Sequence, residues 1–257
     1  MIRAENIIKN FGTGEEEVKV LKGISATFER SKTNMIIGRS GAGKTVLLKL
    51  LVGLFKPTSG NVWYDDLDFH NLDSKELRHL RMKVGMLFQG TALFDSLTVE
   101  ENVRFPLDMF TNKTKKEKLD RVNYCLERVT LEGANNKYPS EISGGMQKRV
   151  GIARAIVLEP EYLFCDEPNS GLDPKTSIVI DELIHSITVD HKITTVINTH
   201  DMNSVMEIGD TIILLHLGEV TWRGTKEEVL SSDNEYLQNF IFASPFLQKL
   251  RTAALKK

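Results

Sequence analysis

A glycine-rich segment with one lysine and one threonine has the residue types and spacing to bind phosphate groups. It reads Gly38-Arg39-Ser40-Gly41-Ala42-Gly43-Lys44-Thr45 and matches the pattern G-x-x-x-x-G-K-[ST]. In this pattern backbone N–H groups point at phosphate oxygens, Lys44 reaches the β- and γ-phosphates, and the Thr45 hydroxyl can ligate Mg²⁺. An apolar run, 35–37, precedes the segment and an apolar helical pattern follows it. This setting predicts a nucleoside triphosphate site rather than an ordinary glycine-rich turn.

Two adjacent carboxylates follow a second apolar run. Asp166 and Glu167 come directly after residues 162–165, at the carboxyl end of a predicted parallel strand, where α/β folds bind their ligands. We predict that Asp166 holds Mg²⁺, directly or through water, and that Glu167 polarises the attacking water. General-base catalysis of this kind contributes roughly 10²–10⁴-fold in rate. A solvated strand end is the alternative interpretation of the pair.

Two single polar residues stand where they could join this chemistry. His200 follows the apolar strand 194–197 and could contact a γ-phosphate or the water that Glu167 aligns. Gln89 ends another predicted strand and could reach the metal or the water. Alone, neither residue is informative. We assign no role to the other histidines, which are His70, His79, His185, His191 and His216.

A second helix start is suited to an anion. The segment Ser143-Gly144-Gly145-Met146-Gln147 precedes a helical pattern that carries Arg149 and Arg154. The chain thus has one P-loop but two phosphate-binding elements. We infer that the second element faces the γ-phosphate bound by another subunit, which gives a homodimer with two composite sites. ATP would join this dimer and hydrolysis would release it.

The elements that must position these residues follow an α/β pattern. Alternating residues at 18–21 and 24–28 predict strands of an antiparallel edge. Apolar strands then alternate with helices, which indicates a doubly wound parallel sheet covered on both faces. Between about residues 91 and 158 the pattern becomes helical, so we predict a helical insertion there.

Composition excludes several classes of protein. The 257 residues include 33 Lys and Arg against 35 Asp and Glu, so no global basic field favours nucleic acid as a partner. Cys125 and Cys165 are too few for a metal cluster or a disulfide framework. The charged N-terminus is unlike a signal peptide, and no apolar run approaches the roughly 18 residues of a spanning helix. We expect a cytosolic protein that only another chain holds at a membrane.

Taken in order, the motifs resemble those of the ATP-binding cassette (ABC) ATPases. The corresponding segments are Walker A at Gly38 to Thr45, the Q-loop Gln89, the signature Ser143 to Gln147, Walker B ending in Asp166-Glu167, the D-loop Ser170-Gly171-Leu172-Asp173 and the switch His200. The resemblance implies an α/β fold. Its parts would be a RecA-like P-loop NTPase core with a parallel sheet, an N-terminal antiparallel β subdomain and an inserted α-helical subdomain. It places the ATPase domain at residues 1–230 and a C-terminal extension at 231–257.

The same resemblance implies roles for single residues. Glu167, His200 and Gln89 would be catalytic, and ATP would bind with Mg²⁺ held by Thr45, Gln89 and Asp166. Phe11 would stack on adenine with Val18 beside it, although a core phenylalanine under an edge strand is the alternative. The chain departs from the common pattern at Ile142, where Leu is usual, and at Asn169, where Thr or Ser is usual. Neither change removes a catalytic group.

A narrower resemblance concerns the region after the Q-loop. Residues 86–103, followed by Phe105-Pro106-Leu107, are similar to the Mla-type (MlaF-like) ATPases, as are residues 143–151 and 199–202. Those ATPases energise phospholipid or other lipid traffic with an MlaE-like permease and a membrane-anchored MCE-domain protein. The expected position is therefore peripheral, on the cytoplasmic face of the inner or plasma membrane. Another ABC importer or exporter, for amino acids, metals or lipoproteins, and a non-transport ABC protein are the alternatives.

Two surface segments suggest contacts with partners. Ala92, Leu93 and Phe94 form an apolar turn suited to a permease coupling helix, or they cap the helical subdomain. The tail has an aromatic stretch, 236–242, then Pro245 and a basic end, 249–257. We predict that the tail docks on the neighbouring ATPase. Packing on its own domain is an equal alternative, and a membrane-surface anchor is less favoured because acidic residues precede the tail.

Overall fold

The structure, a computed structural model, describes residues 1–241. The strands are β1 (Ile2–Phe11), β2 (Val18–Phe28), β3 (Thr33–Ile37), β4 (Ser59–Tyr64), β5 (Leu67–Asp68), β6 (Val84–Leu87), β7 (Tyr162–Asp166), β8 (Thr194–Thr199), β9 (Thr211–His216) and β10 (Glu219–Gly224). The helices are α1 (Lys44–Leu51), α2 (Ser74–Met82), α3 (Val99–Phe110), α4 (Lys115–Arg128), α5 (Gly144–Ile156), α6 (Pro174–Asp190), α7 (Met202–Ile208), α8 (Lys226–Ser231) and α9 (Glu235–Ile241). The described residues form two compact units, one of residues 1–72 together with 198–241, the other of residues 73–197.

The first unit begins with an antiparallel sheet in the order β2-β1-β4-β5. Along β2, Leu21, Ile24, Ala26 and Phe28 are buried between more exposed residues, as the alternating sequence predicts. The two strands expected at 18–21 and 24–28 are a single strand. Irregular pairing of β1 with β2 around Ile7 accommodates this continuous strand.

The other strands of the first unit carry the glycine-rich loop. β3 pairs in parallel with β9, and β10 pairs antiparallel with β9. Every residue of β3 is buried, which agrees with its unbroken apolar centre. Since β10 runs antiparallel, the sheet is mixed rather than wholly parallel.

The second unit combines parallel strands with the expected helical region. β6 pairs in parallel with β7, and β8, whose last two residues belong to the first unit, lies beside β7. α3, α4 and α5 occupy the segment for which helices were predicted. Capping boxes built from Thr98 with Glu101 and from Thr114 with Glu117 start α3 and α4. Within residues 1–241 no helix is long and apolar enough to cross a membrane.

Candidate functional site

The glycine-rich loop of the first unit joins β3 to α1, as predicted. Gly43 caps α1 with a φ of 101°, in the left-handed region that favours glycine. Gly38 approaches a neighbouring strand so closely that a Cβ atom there would lie 2.3 Å from the Leu215 carbonyl oxygen. Arg39, Ser40 and Gly41 are exposed between these two points. The exposed part of the loop, residues 39–41, is therefore accessible to a ligand and stands on a rigid base.

The two side chains predicted to touch phosphate and metal are both held inside this unit. The buried Lys44 Nζ donates to the Gly38 carbonyl oxygen at 2.8 Å and to the Arg39 carbonyl oxygen at 3.4 Å, so the lysine lies over its own loop. The Thr45 hydroxyl accepts a hydrogen bond of 3.1 Å from the side-chain amide of Asn198, near the end of β8. Asn198 was not among the predicted site residues. Its signal was a polar residue at the carboxyl end of an apolar strand.

Phe11 and Val18 face each other across the β1–β2 hairpin. Phe11 is 37% exposed and Val18 is 61% exposed, so neither is a core residue. The Phe11 ring meets Phe55 edge-on at 5.5 Å between centroids, and the Lys9 ammonium lies 4.9 Å from the ring centre. An exposed ring held at its edge leaves a surface on which a base can stack.

His200 directly follows β8 in the first unit and is exposed. Asp201, the next residue, caps α7 by accepting a hydrogen bond from the Asn203 backbone. This cap fixes the chain direction just after the histidine.

The predicted acidic pair lies at the end of β7 in the second unit. Asp166 is the last residue of β7 and is 4% exposed, which is unlike a solvated strand end. Glu167 is more accessible and has a φ of 48°, in the left-handed region. For a residue other than glycine this conformation is uncommon and marks a constrained position.

Gln89 comes two residues after β6 and reaches the same part of the second unit. Its side-chain amide donates to the Ser170 hydroxyl at 3.4 Å. Its backbone carbonyl accepts a hydrogen bond of 2.5 Å from the Lys148 ammonium, which also lies 3.4 Å from the Glu167 carbonyl oxygen. Burial lowers the pKa of Lys148, while Cys165, Asp166 and Glu167 act to raise it. The structure therefore brings the backbones of Gln89 and Glu167 together, and Lys148, which was not among the predicted site residues, binds both.

The predicted second anion-binding element starts α5. The Ser143 hydroxyl caps this helix by accepting a hydrogen bond of 3.3 Å from the Met146 backbone, and Ser143 and Gly144 are exposed. At Gly145 a Cβ atom would lie 2.6 Å from a methyl carbon of Thr176 on α6, so only glycine lets the two helices approach this closely. Gln147 turns back to donate to the Pro139 carbonyl oxygen at 2.9 Å.

Comparison with known proteins decides what this arrangement is. The family described as ABC transporter matches residues 21–170. The chain belongs to the ABC transporter ATPase family. The "Methionine import ATP-binding protein MetN 1" of Bacillus thuringiensis subsp. konkukian is 38% identical over 242 residues, which cover 94% of this chain and 71% of that protein. The "Probable ribonucleotide transport ATP-binding protein mkl" of Mycobacterium tuberculosis is 36% identical over 240 residues, which cover 93% of this chain and 66% of that protein.

A solved structure agrees with this assignment. A dimeric post-hydrolysis state of the ATP-binding cassette MJ0796, bound to ADP and Pi, has a TM-score of 0.81 with 34% identity, and the match covers 88% of this chain and 99% of that chain. This cassette is accordingly an ATPase that binds and hydrolyses ATP, with the α/β fold expected from its motifs.

The D-loop of the cassette ends in a helix cap. The Asp173 carboxylate accepts hydrogen bonds from the backbones of Lys175 and Thr176 and from the Thr176 hydroxyl. These bonds lower the pKa of Asp173, and the bond from the Thr176 hydroxyl has the largest effect. The side-chain amide of nearby Asn169 donates a hydrogen bond of 2.9 Å to the buried carboxylate of Asp181 on α6. Asn169, which departs from the family pattern, thus has a hydrogen-bond partner on α6.

The apolar turn after the Q-loop is fastened by an arginine of α5. Thr91 and Ala92 both have positive φ, and the Arg154 guanidinium donates to their carbonyl oxygens at 2.5 and 2.6 Å. Phe94 is 43% exposed, and its ring lies 4.8 Å from that of Phe105, which is also exposed. The turn therefore packs on α3 and still presents aromatic surface.

The described part of the C-terminal extension packs on its own unit. In α9, Leu237 and Ile241 are buried, and the Tyr236 ring packs against the His216 ring. The Asn239 carbonyl oxygen accepts a hydrogen bond of 3.3 Å from Arg39 of the P-loop. This agrees with packing on its own domain for residues 235–241. The rest of the predicted tail, including Phe242, Pro245 and the basic end 249–257, lies outside the described residues.

Proposed function

We propose that the cassette works as a homodimer that closes around two ATP molecules and drives a membrane permease. In each composite site, the P-loop of one subunit would hold the phosphates and the signature of the partner subunit would face the γ-phosphate. The support is that one chain carries both a P-loop and a capped, glycine-rich helix start at Ser143. The solved relative with ADP and Pi is also described as dimeric.

Within each site we assign the predicted roles. Thr45, Gln89 and Asp166 supply hydroxyl, amide and carboxylate oxygens, which are the donors that Mg²⁺ prefers, so these residues fit the ion. Glu167 would polarise the attacking water, and His200 with Gln89 would position it. Phe11 would stack on adenine beside Val18. Asp173 of the D-loop would contribute to the site by capping the start of α6.

The docking surface for the permease is the turn Ala92-Leu93-Phe94. Arg154 holds this turn from behind, and buried Asn102 binds the backbone N–H of Phe94 at 2.8 Å and its carbonyl oxygen at 3.1 Å. An exposed aromatic residue on so firmly held a turn is suited to receive a short amphipathic helix. The domain boundary at residue 230 and a peripheral position at the cytoplasmic face of the membrane belong to the same proposal.

For the cargo we favour phospholipid or another lipid, with an MlaE-like permease and an MCE-domain protein as partners. The observation that carries this choice is the similarity of residues 86–103 and 105–107 to the Mla-type ATPases. Import of an amino acid is the second candidate, because a relative of 38% identity is named as a methionine import ATPase. Nucleic acid is not among the proposed partners.

The test uses a variant that holds ATP without turnover. The Glu167→Gln protein would be purified with ATP and Mg²⁺ from gently solubilised native membranes, and every retained protein and lipid would be identified by mass spectrometry. The matched control is Lys44→Ala, which should not retain ATP and should lose the ATP-dependent partners.

Each outcome of this purification has a distinct meaning. An MlaE-like permease with an MCE-domain partner and phospholipid would support the lipid assignment. A permease of the methionine-import type would replace lipid by amino acid. Recovery of no membrane protein would contradict a transport role.

A further inference from the structure

Lys148 is a buried lysine inside the signature helix, and its ammonium bridges two strand ends. It is 4% exposed, and it donates to the carbonyl oxygen of Gln89 at 2.5 Å and to that of Glu167 at 3.4 Å. Burying an ammonium group costs several kcal/mol unless hydrogen bonds compensate it. The two carbonyl groups provide that compensation, so the lysine and the two backbones depend on one another.

The two carbonyl groups lie where the parallel strands of the second unit end. Leu87 of β6 stands opposite Cys165 of β7, so the chain leaves both strands at the same edge. Glu167, directly after β7, has a φ of 48°, in the left-handed region that is unfavourable for a residue other than glycine. The Glu167 carbonyl oxygen also accepts a hydrogen bond of 3.1 Å from the backbone N–H of Ser170. Contacts from outside the strand therefore keep Glu167 in this conformation.

We propose that Lys148 is a positioning residue for ATP hydrolysis. By binding both carbonyl groups, it fixes the backbone of Glu167 relative to that of Gln89, and so sets the direction in which the Glu167 carboxylate points. Lys148 acts through Glu167, because its ammonium donates to the backbone carbonyl group of that residue. The inference rests on the proposed role of Glu167 as the group that polarises water.

The test compares variants that differ in what they can donate to the two carbonyl groups. Lys148→Met keeps the length and removes the donor, and Lys148→Gln keeps a shorter donor. The control is Lys83→Met, because Lys83 precedes β6 in the same unit and its ammonium forms a partly exposed ion pair with Glu161 at 2.8 Å. For each protein we would measure kcat and KM for ATP, the affinity for a fluorescent ATP analogue, and the thermal unfolding midpoint.

We expect kcat to fall in the order wild type, Lys148→Gln, Lys148→Met, with a loss of roughly 10- to 100-fold in the last, as for a misplaced catalytic group. KM and analogue affinity should change less than about threefold, because the P-loop is intact. Combining Lys148→Met with Glu167→Gln should lower kcat no further than Glu167→Gln alone, since both act on one group. A purely structural role would not give this non-additive result.

Three results would overturn the inference. They are an unchanged kcat in a folded Lys148→Met protein, a loss of kcat that follows the loss of analogue affinity, and full additivity with Glu167→Gln. If Lys148→Met does not fold, the same comparisons apply to Lys148→Gln. Failure of the underlying role is seen separately, because Glu167→Gln would then keep near-wild-type turnover whatever stands at position 148.

Discussion

The side-chain amide of Asn198 donates a hydrogen bond of 3.1 Å to the hydroxyl oxygen of Thr45. The donor is one of the buried residues of β8, and the acceptor is the last residue of the P-loop. The bond orients the threonine oxygen proposed to ligate Mg²⁺. It therefore links the proposed Mg²⁺ ligand to a strand that lies far from the P-loop in sequence.

Removing this donor should weaken metal-dependent binding of ATP. We expect Asn198→Ala to lower the affinity for Mg²⁺–ATP by about fivefold, because one hydrogen bond contributes about 1 kcal/mol. Affinity for ATP in EDTA should stay unchanged, since in the proposed site the phosphates would contact the loop backbone and Lys44. Titration of a fluorescent ATP analogue with and without Mg²⁺ measures both. An equal loss in EDTA would contradict the role in orienting Thr45.

Replacing the proposed general base should separate binding from turnover. We expect Glu167→Gln to reduce steady-state hydrolysis by roughly 10²–10⁴-fold, because the amide cannot accept the proton of the attacking water. ATP affinity should persist, and the ATP-bound dimer should survive long enough to be seen by size-exclusion chromatography with light scattering. Near-full turnover, or a monomer in saturating ATP, would contradict the assignment.

The Arg154 clamp on the turn 91–92 should contribute to stability and to docking. We expect Arg154→Ala to lower the free energy of unfolding by about 2 kcal/mol, since two charge-assisted hydrogen bonds are lost. It should also reduce recovery of the permease with the ATP-bound protein. The control is Arg104→Ala, because Arg104 makes partly exposed ion pairs with Glu100 and Asp108 in the same unit. Such pairs contribute at most about 1 kcal/mol to the free energy of unfolding. Equal urea unfolding curves for the two variants would exclude a special role for the clamp.

The buried cysteines should make the protein less stable in alkali. Burial raises the pKa of the Cys125 thiol to about 11, although Arg121 acts to lower it, and burial also raises the pKa of Cys165. An unfolded thiol titrates near 8.5, so above that pH the unfolded chain loses its proton first and the free energy of unfolding falls. The contribution is complete below pH 8.5 and is lost as pH rises toward 11.

The slope should be about 1.4 kcal/mol per pH unit for each thiol. Urea unfolding between pH 8 and 10.5 measures it. Cys125→Ala keeps Cys165, so its alkaline slope should be shallower than that of the wild type by the share of one thiol. Identical slopes in the two proteins would show that Cys125 does not titrate differently in the folded and unfolded states.

The sequence by itself determined the elements whose chemistry lies in contiguous backbone. The P-loop needs only its own glycines, Lys44 and Thr45 between a buried strand and a helix, and the fold confirms that setting. The apolar run before Asp166 likewise predicted a buried strand, and the Ser143 segment predicted a helix start. Local hydrogen bonding and side-chain periodicity are sufficient for such features.

Only the tertiary structure decided which distant side chains support these elements. Lys148 meets Gln89 across 59 residues, Arg154 meets Thr91 across 63, and Asn198 meets Thr45 across 153. Each is a polar residue in an otherwise apolar or helical pattern, and its type and spacing do not specify which backbone or hydroxyl group it binds. Sheet order and helix packing bring those partners within hydrogen-bond distance, and these depend on the folding of the whole chain. The sequence was therefore sufficient to propose the reacting groups, and the fold shows which distant residues bind to the elements that carry them.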